Sequence, residues 1–386
     1  VEPLGMLFAA LASTLWIVNS VYSIGYMRGN NEKHQTRFYV CFAIAISAAL
    51  GVAFAGNLLT LFLCYEVLTL STYPLVSHKG DAATIRSARV YLGILLGTSI
   101  GLLLPAIIWT YTIAGTLDFV PGGSLAGKLA GPAIGRLLAR YGVGIGKAAV
   151  MPVHRWLPAA MVAPTPVSAL LHAVAVVKAG VFTVTKVIIY VFGVDNLFAE
   201  PSGGWLLYAA AFTILAASVV ALRQQNLKKM LAYSTIGQLS YVILAAAVLT
   251  PLSEIGAAVH IVAHAFGKIT LFFAAGAIYT ASRKTELNQL RGIGARMPWT
   301  MAAFTIGALS MIGVPPTGGF VSKWFILAGA FESVNYVAIF TINLRKVVNA
   351  AYLLPLIFMA WFATESPGGK AHGESPWPAV LALSVP

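Results

Sequence analysis

A small set of ionisable side chains stands inside long apolar segments of this chain. They are Glu66, Lys147, Lys178, Lys268 and Lys323. Charge at bilayer depth is costly and usually marks function, so we expect these residues to transfer protons or other cations. For some of them a structural ion pair is the competing interpretation, or a lysine that extends to the membrane interface, as we expect of Lys186 near a span end.

Glu66 and Lys147 are predicted to form a switchable pair. A lysine removed from water gives up its proton more readily, whereas a nearby carboxylate stabilises the charged form. Separating the two groups would therefore favour release of the lysine proton. One glutamate facing several lysines suits a relay better than a fixed salt-bridge scaffold, so the remaining lysines are predicted to continue that relay.

Three histidines accompany the lysines. His260, His264 and Lys268 are spaced by four residues and should line one face of a helix. Histidine titrates near neutral pH and can pass protons on. His172 precedes Lys178 by six residues, so the two are not on one stripe, although both could reach an internal cavity. A metal pair at His260 and His264 is the rival interpretation, but the HExxH glutamate and a third ligand are missing, so we predict no metal.

The sequence gives no sign of bond-making catalysis or of a bound cofactor. The glycine-rich segment before Lys147 resembles a phosphate loop, but Tyr141 and Ala148 stand where that motif needs glycine and Ser or Thr. Cys41 and Cys64 lie in apolar segments without metal-site spacing and are interpreted as small buried hydrophobes.

Composition places these residues in a membrane. Of the 386 residues 59% are hydrophobic and 10% are charged, whereas soluble domains carry roughly 25% charged residues. The net charge of +13 comes mainly from lysines and arginines in short loops, which fits the positive-inside rule better than nucleic-acid binding. We therefore predict a multi-pass protein of the cell (inner) membrane, in contact with lipid and not with nucleic acid.

Hydropathy predicts eleven full spans, each a helix that satisfies its own backbone. Their limits are 4–27, 38–56, 57–77, 88–114, 129–157, 165–192, 204–222, 229–250, 255–281, 299–330 and 335–362. Basic loops after the first, third, seventh and ninth spans fall on one side, which should be cytoplasmic. The segment 115–140 fits this orientation poorly.

Prolines interrupt two of these spans. Pro152 and Pro158 break the fifth span, and Pro315 and Pro316 break the tenth; such breaks survive in lipid only where protein or water shelters the freed backbone. The breaks are five spans apart, and an odd repeat unit inverts its second copy. The predicted fold is an all-α membrane helix bundle with two inverted five-helix repeats, about 38–192 and 204–362, in one transmembrane domain over 1–386. Both termini are expected to be incomplete.

The motifs together resemble the antiporter-like membrane subunits of respiratory complex I, of Mrp-type cation:proton antiporters and of energy-converting hydrogenases. The resemblance covers nearly the whole chain. Its most specific stretch begins with GKAAVMPVHRWLP at Gly146 and runs through 163–172 to 177–180. Supporting segments are 229–238, 264–268 and 315–323.

The resemblance implies roles for the candidate residues. Glu66 and Lys147 match the family's coupling pair, His172 and Lys178 its connecting residues, His264 and Lys268 its polar axis, and Lys323 its terminal lysine. The chain departs from the family at Arg345 and Lys346, which fall where relatives have an uncharged helix and put the eleventh span in doubt.

We expect a proton- or cation-translocating subunit of a multi-subunit ion-pumping complex, with further membrane subunits as partners and protons or Na⁺ as cargo. A Mrp-type Na⁺/H⁺ antiporter subunit is favoured over a subunit of complex I or of a hydrogenase, although a redox-driven translocase of the NADH:quinone oxidoreductase kind stays open. Two different functions also stay open: a structural anchor without an ion path, and a stand-alone solute transporter.

Overall fold

The computed structural model describes residues 2–364 and 373–386 as an assembly of helices. In that part of the chain, nine helices are long and apolar enough to cross a membrane. The helices are α1 (Pro3–Gly29), α2 (Gln35–Phe54), α3 (Leu58–Val76), α4 (Ala82–Ala114), α5 (Pro132–Gly144), α6 (Thr165–Phe192), α7 (Trp205–Leu222), α8 (Leu227–Val248), α9 (Pro251–Ser282), α10 (Pro298–Ile312), α11 (Gly318–Glu332), α12 (Tyr336–Phe362) and α13 (Trp377–Ser384). The predicted all-α membrane fold is confirmed.

Side-chain caps fix where several of these helices begin. The side chains of Asn57, Asp81 and Asn226 accept hydrogen bonds from backbone N–H groups in the first turns of α3, α4 and α8. Thr250 and Ser253 form a reciprocal capping box at the start of α9. Each cap satisfies a backbone donor that has no partner within the helix.

Nine of the eleven predicted spans are continuous helices, and the fifth and tenth are broken. The prediction that the fifth span breaks at Pro152 and Pro158 was wrong about where the break begins. Its helix already ends at Gly144, so Lys147 lies within the break. The backbone leaves the helical conformation at Ile145 (φ −79°, ψ 60°), and Gly144 before it packs closely on α4, where an added Cβ would lie 2.6 Å from the Leu103 nitrogen. Hydropathy detects neither feature.

The doubt about the eleventh span was also unfounded. Residues 336–362 form one continuous helix, and Arg345 within it is fully buried among neighbouring helices. A charged side chain is tolerated there because protein, rather than lipid, surrounds it.

Two short backbone bridges repeat at matching positions. Asn57, before α3, pairs with Asp118 after α4, and Asn226, before α8, pairs with Glu286 after α9. The second pair follows the first by almost the same interval, 169 and 168 residues. This correspondence supports two five-helix repeats; their exact limits and the extent of the single domain stay predictions.

Three helices form the centre of the bundle. In the most apolar stretches of α6, α8 and α9, 89%, 89% and 83% of the residues are buried, against 33–50% in the other six long spans. The central helices carry Lys178, His264 and Lys268, so these polar groups face protein on all sides. The outer helices present apolar side chains such as Ile108 and Phe358 outward.

We expect Asn57→Ala to lower the free energy of unfolding by about 0.5–2 kcal/mol, because the Thr60 N–H loses its capping oxygen. Thermal unfolding of the detergent-purified protein measures this loss. Asn57→Ser is the matched control, since serine can still cap, and it should retain most of the stability. Equal losses in both variants would contradict the capping role.

Candidate functional site

The first helix break places Lys147 against α3. After α5 ends, a single tight turn over 146–148 carries the lysine, and the Lys147 backbone N–H donates to the Tyr65 hydroxyl at 3.1 Å. The Trp156 indole donates to the Gly146 carbonyl at 2.9 Å, which closes the turn from the other side. The turn is therefore held by side chains on both sides of the break.

The Lys147 ammonium is fully buried and bonded to α3. It donates to the Tyr65 carbonyl at 2.8 Å and to the Thr69 hydroxyl at 2.5 Å, and it lies 3.1 Å from the centre of the Tyr65 ring. These contacts satisfy the amine with a carbonyl, a hydroxyl and an aromatic face.

Glu66 does not complete the predicted ion pair in this structure. Both of its carboxylate oxygens are buried without a hydrogen-bond partner among the described residues, and no salt bridge joins it to Lys147. The two groups are close enough to interact electrostatically. The geometry is that of a separated pair, with the glutamate one residue from the tyrosine that the lysine contacts.

The second helix break receives Lys323. Because α10 ends at Ile312, the last carbonyls of that helix have no partner within it. The Lys323 ammonium donates to the carbonyls of Met311 and Ile312 at 2.5 and 3.1 Å. The Gln238 amide also donates to the Met311 carbonyl, at 2.8 Å. The break thus supplies the acceptors that make burial of this lysine tolerable.

A row of polar side chains runs from Lys178 toward Lys323. The Lys178 Nζ lies 2.8 Å from His264 Nδ1, and the ring centres of His264 and His260 are 6.1 Å apart. His260 Nδ1 lies 2.9 Å from the hydroxyl of Ser322, the neighbour of Lys323 in sequence. We call these five residues the central row; all are 0 or 1% exposed.

Lys268 and His172 flank the central row. The Lys268 ammonium donates to the Leu231 carbonyl at 3.2 Å. The His172 ring packs 4.6 Å from the ring of Phe272, and both of its nitrogens lack a partner in the described part of the chain. Electrostatic interaction reaches from His172 to Lys268. The structure thus brings these two residues near the central row without a direct hydrogen bond to it.

Several buried polar atoms along this region have no partner among the residues that the structure describes. Besides both nitrogens of His172, they include Nε2 of His260 and His264 and Oε1 of Gln238. A buried polar group without a hydrogen bond is costly, and native proteins usually satisfy it with water. The unpartnered atoms therefore mark positions suited to internal water.

Lys147 and the central row are separate clusters. No hydrogen bond or ion pair links Lys147 to Lys178 in the described part of the chain, although the Gly180 backbone packs directly on the Lys147 backbone. An added side chain at Gly180 would overlap that backbone. The clusters are thus adjacent through backbone contact, without direct transfer between side chains.

The environment of Lys186 differs from the predicted one. Rather than extending to the interface it is 2% exposed, forms an ion pair with Glu2 at 2.6 Å, and donates to the Ala55 carbonyl at 2.7 Å. The reason is that α1 brings a carboxylate to the end of α6. No local sequence pattern signals this contact.

Arg345 is the main polar residue to which sequence reasoning gave no role. Its guanidinium donates to the carbonyls of Ile214 and Ser234 at 2.8 and 3.1 Å and to the Asn349 side chain at 2.8 Å. Asn349 in turn donates to the Met311 carbonyl at 3.1 Å, the acceptor that Lys323 uses. Arg345 therefore joins α7, α8 and α12 to the second break. Asn349, one helical turn after Arg345, was the sequence feature that could have indicated this role.

Comparisons with known proteins agree with this architecture. The profile of a family described as "NADH:quinone oxidoreductase/Mrp antiporter, TM" matches residues 55–348. NADH-quinone oxidoreductase subunit N of Desulforudis audaxviator is 31% identical over 97% of this chain and 75% of its own length. A relative from Rhizobium meliloti, the A/B component of a probable K(+)/H(+) antiporter, is 33% identical over 85% of this chain, which spans 32% of that relative.

A solved structure shares the fold. The Mrp complex from Dietzia sp. DQ12-45-1b contains a chain that matches with a TM-score of 0.86 and 19% identity, covering 100% of this chain and 80% of that one. At this identity the likeness shows the arrangement of helices alone.

We expect Gly237→Ala to destabilise the fold by roughly 1–3 kcal/mol, because the new methyl group would overlap the Arg345 guanidinium and separate it from its carbonyl partners. The thermal unfolding midpoint in detergent measures this change. Gly97→Ala is the control, since a Cβ at this helical glycine meets nothing within 4 Å. An unchanged midpoint for Gly237→Ala would contradict the assigned position of Arg345.

Proposed function

Because this chain belongs to the NADH:quinone oxidoreductase/Mrp antiporter transmembrane family, we propose that it is a proton- or cation-translocating membrane subunit of a multi-subunit ion-pumping complex. The observation that carries the proposal is the central row, in which Lys178 meets His264 and His260 meets Ser322 at hydrogen-bonding distance in the buried interior of α6, α9 and α11. A structural anchor has no need for such a row, since buried ionisable groups are costly.

The central row offers a defined sequence of proton transfers. The Lys178 ammonium gives a proton to His264 Nδ1 across 2.8 Å and is left as a neutral amine. The imidazolium then releases its other proton from Nε2, and the proton moves through water to His260. From His260 Nδ1 the path continues through the Ser322 hydroxyl toward Lys323, with the proton count conserved at each step.

Glu66 and Lys147 would gate entry to this row. When the carboxylate approaches the ammonium, their attraction stabilises the protonated lysine, and separation favours release. The separated geometry corresponds to the releasing state. Because Lys147 and Lys178 share no direct contact, water is proposed to bridge them.

Among family members, we favour a Mrp-type cation:proton antiporter subunit, in line with the fold shared with the Mrp complex and with the antiporter relative. The second candidate is a redox-driven translocase, which the quinone oxidoreductase relative favours. Subunits that co-purify with this chain would separate the two: redox-active partners indicate the second, and their absence from an active complex indicates the first.

We expect Lys147→Ala to lower proton or sodium flux by about a hundredfold, because it removes the proton-carrying amine at the proposed gate. The measurement is ion flux in liposomes that contain the reconstituted complex. Lys33→Gln, at an exposed loop position, is the control and should transport normally.

The same experiment tests the anchor hypothesis. If the Lys147→Ala complex assembles fully and transports at the wild-type rate, the proposed relay is wrong and an anchoring role is favoured. If flux is lost while subunit composition is unchanged, the relay is supported.

A further inference from the structure

A second polar feature lies outside the relay, at the end of the bundle predicted to be cytoplasmic. A pocket of about 210 Å³ opens where α1 and α9 end and α6 and α8 begin. Three lysines line it, Lys79, Lys228 and Lys284, together with hydroxyls such as that of Thr165. No carboxylate is among the described residues that line the pocket.

Three nearby acidic residues do not line the pocket. Glu32 lies 4.0 Å from His78, and Glu286 accepts a hydrogen bond from Asn226, which is itself a lining residue. Asp81 caps α4, and the hydrogen bond from the Thr84 backbone N–H lowers the pKa of its carboxyl below the ordinary value. Accordingly, no described carboxylate forms an ion pair with Lys79 or Lys228.

A hydrogen bond to a backbone carbonyl holds the Lys228 side chain at the pocket. Its Nζ donates to the Ala163 carbonyl at 2.7 Å, and both residues line the cavity. An ammonium has three donors, so two are left for a ligand. Lys79 is exposed and can approach the same ligand from the loop after α3.

We propose that this pocket binds a phosphate group, carried by the headgroup of an anionic phospholipid. The amines of Lys79 and Lys228 and the hydroxyl of Thr165 donate to phosphate oxygens. The same groups would also bind free inorganic phosphate.

The position of the pocket favours the lipid source. It lies at helix ends, the depth at which headgroups stand, and apolar residues such as Met161 and Ala275 line its remaining wall. Basic pockets between transmembrane helices on the cytoplasmic side are recognised headgroup sites. A lipid bound there would link α1, α8 and α9 without entering the central row.

The test uses the purified complex in detergent with phosphatidylcholine as background lipid. Phosphatidylglycerol and inorganic phosphate are titrated separately, and bound ligand is counted by native mass spectrometry. We expect phosphatidylglycerol binding to weaken about fivefold for each of Lys79→Gln and Lys228→Gln, and more in the double variant. Lys229→Gln is the matched control, because this next residue is exposed and does not line the pocket.

Each outcome decides between sources or against the site. If the lysine variants lose phosphatidylglycerol binding and inorganic phosphate does not bind, the ligand is the lipid headgroup. Phosphate that binds the wild type but not the double variant, and displaces the lipid, supports a phosphate site with a soluble ligand. Equal binding of both probes to wild type and double variant, or no binding to either, overturns the proposal. Lys79→Gln changes an exposed side chain and keeps the test independent of folding.

Discussion

Buried ammonium groups in a membrane protein need acceptors, and helix carbonyls supply them here. Unbroken helices provide them for Lys147, Lys178 and Lys268, and a broken helix provides them for Lys323. A helix that stops inside the bilayer leaves carbonyls without intrahelical donors, which lipid cannot satisfy. Here Lys323 and Gln238 donate to the carbonyls at the end of α10. The cost of the break and the cost of the buried charge therefore offset each other.

The same constraint explains the organisation of the bundle. Polar groups are tolerated where helices surround them, and the central row lies in and beside α6, α8 and α9, the most buried spans. Lipid-facing positions on outer helices stay apolar. Arg345 extends this logic, because carbonyls of two neighbouring helices and Asn349 take its donors in place of water. The absence of a side chain at Gly237 leaves the space that the Arg345 guanidinium occupies, and at Gly180 it allows close approach to the Lys147 backbone.

Much of this arrangement could be predicted from sequence, for identifiable reasons. Long apolar windows predict the nine continuous spans, and the spacing of His260, His264 and Lys268 predicts a shared helix face. The end of α5 could not be predicted, because the backbone leaves the helix at Ile145, ahead of the prolines that mark the break in the sequence. Likewise, partners far apart in sequence escape local patterns: the ion pair of Lys186 with Glu2 and the hydrogen bond of His260 with Ser322 are examples.

In the proposed mechanism, Lys178 and His264 act in series on one proton path. The most direct measurement is ion flux through the reconstituted complex for Lys178→Gln, His264→Gln and the double variant. Groups that act as a unit are non-additive, so each single variant should lose nearly all flux and the double variant should be no slower than either. Flux near the wild-type level in the double variant, with the complex intact, would contradict the claim.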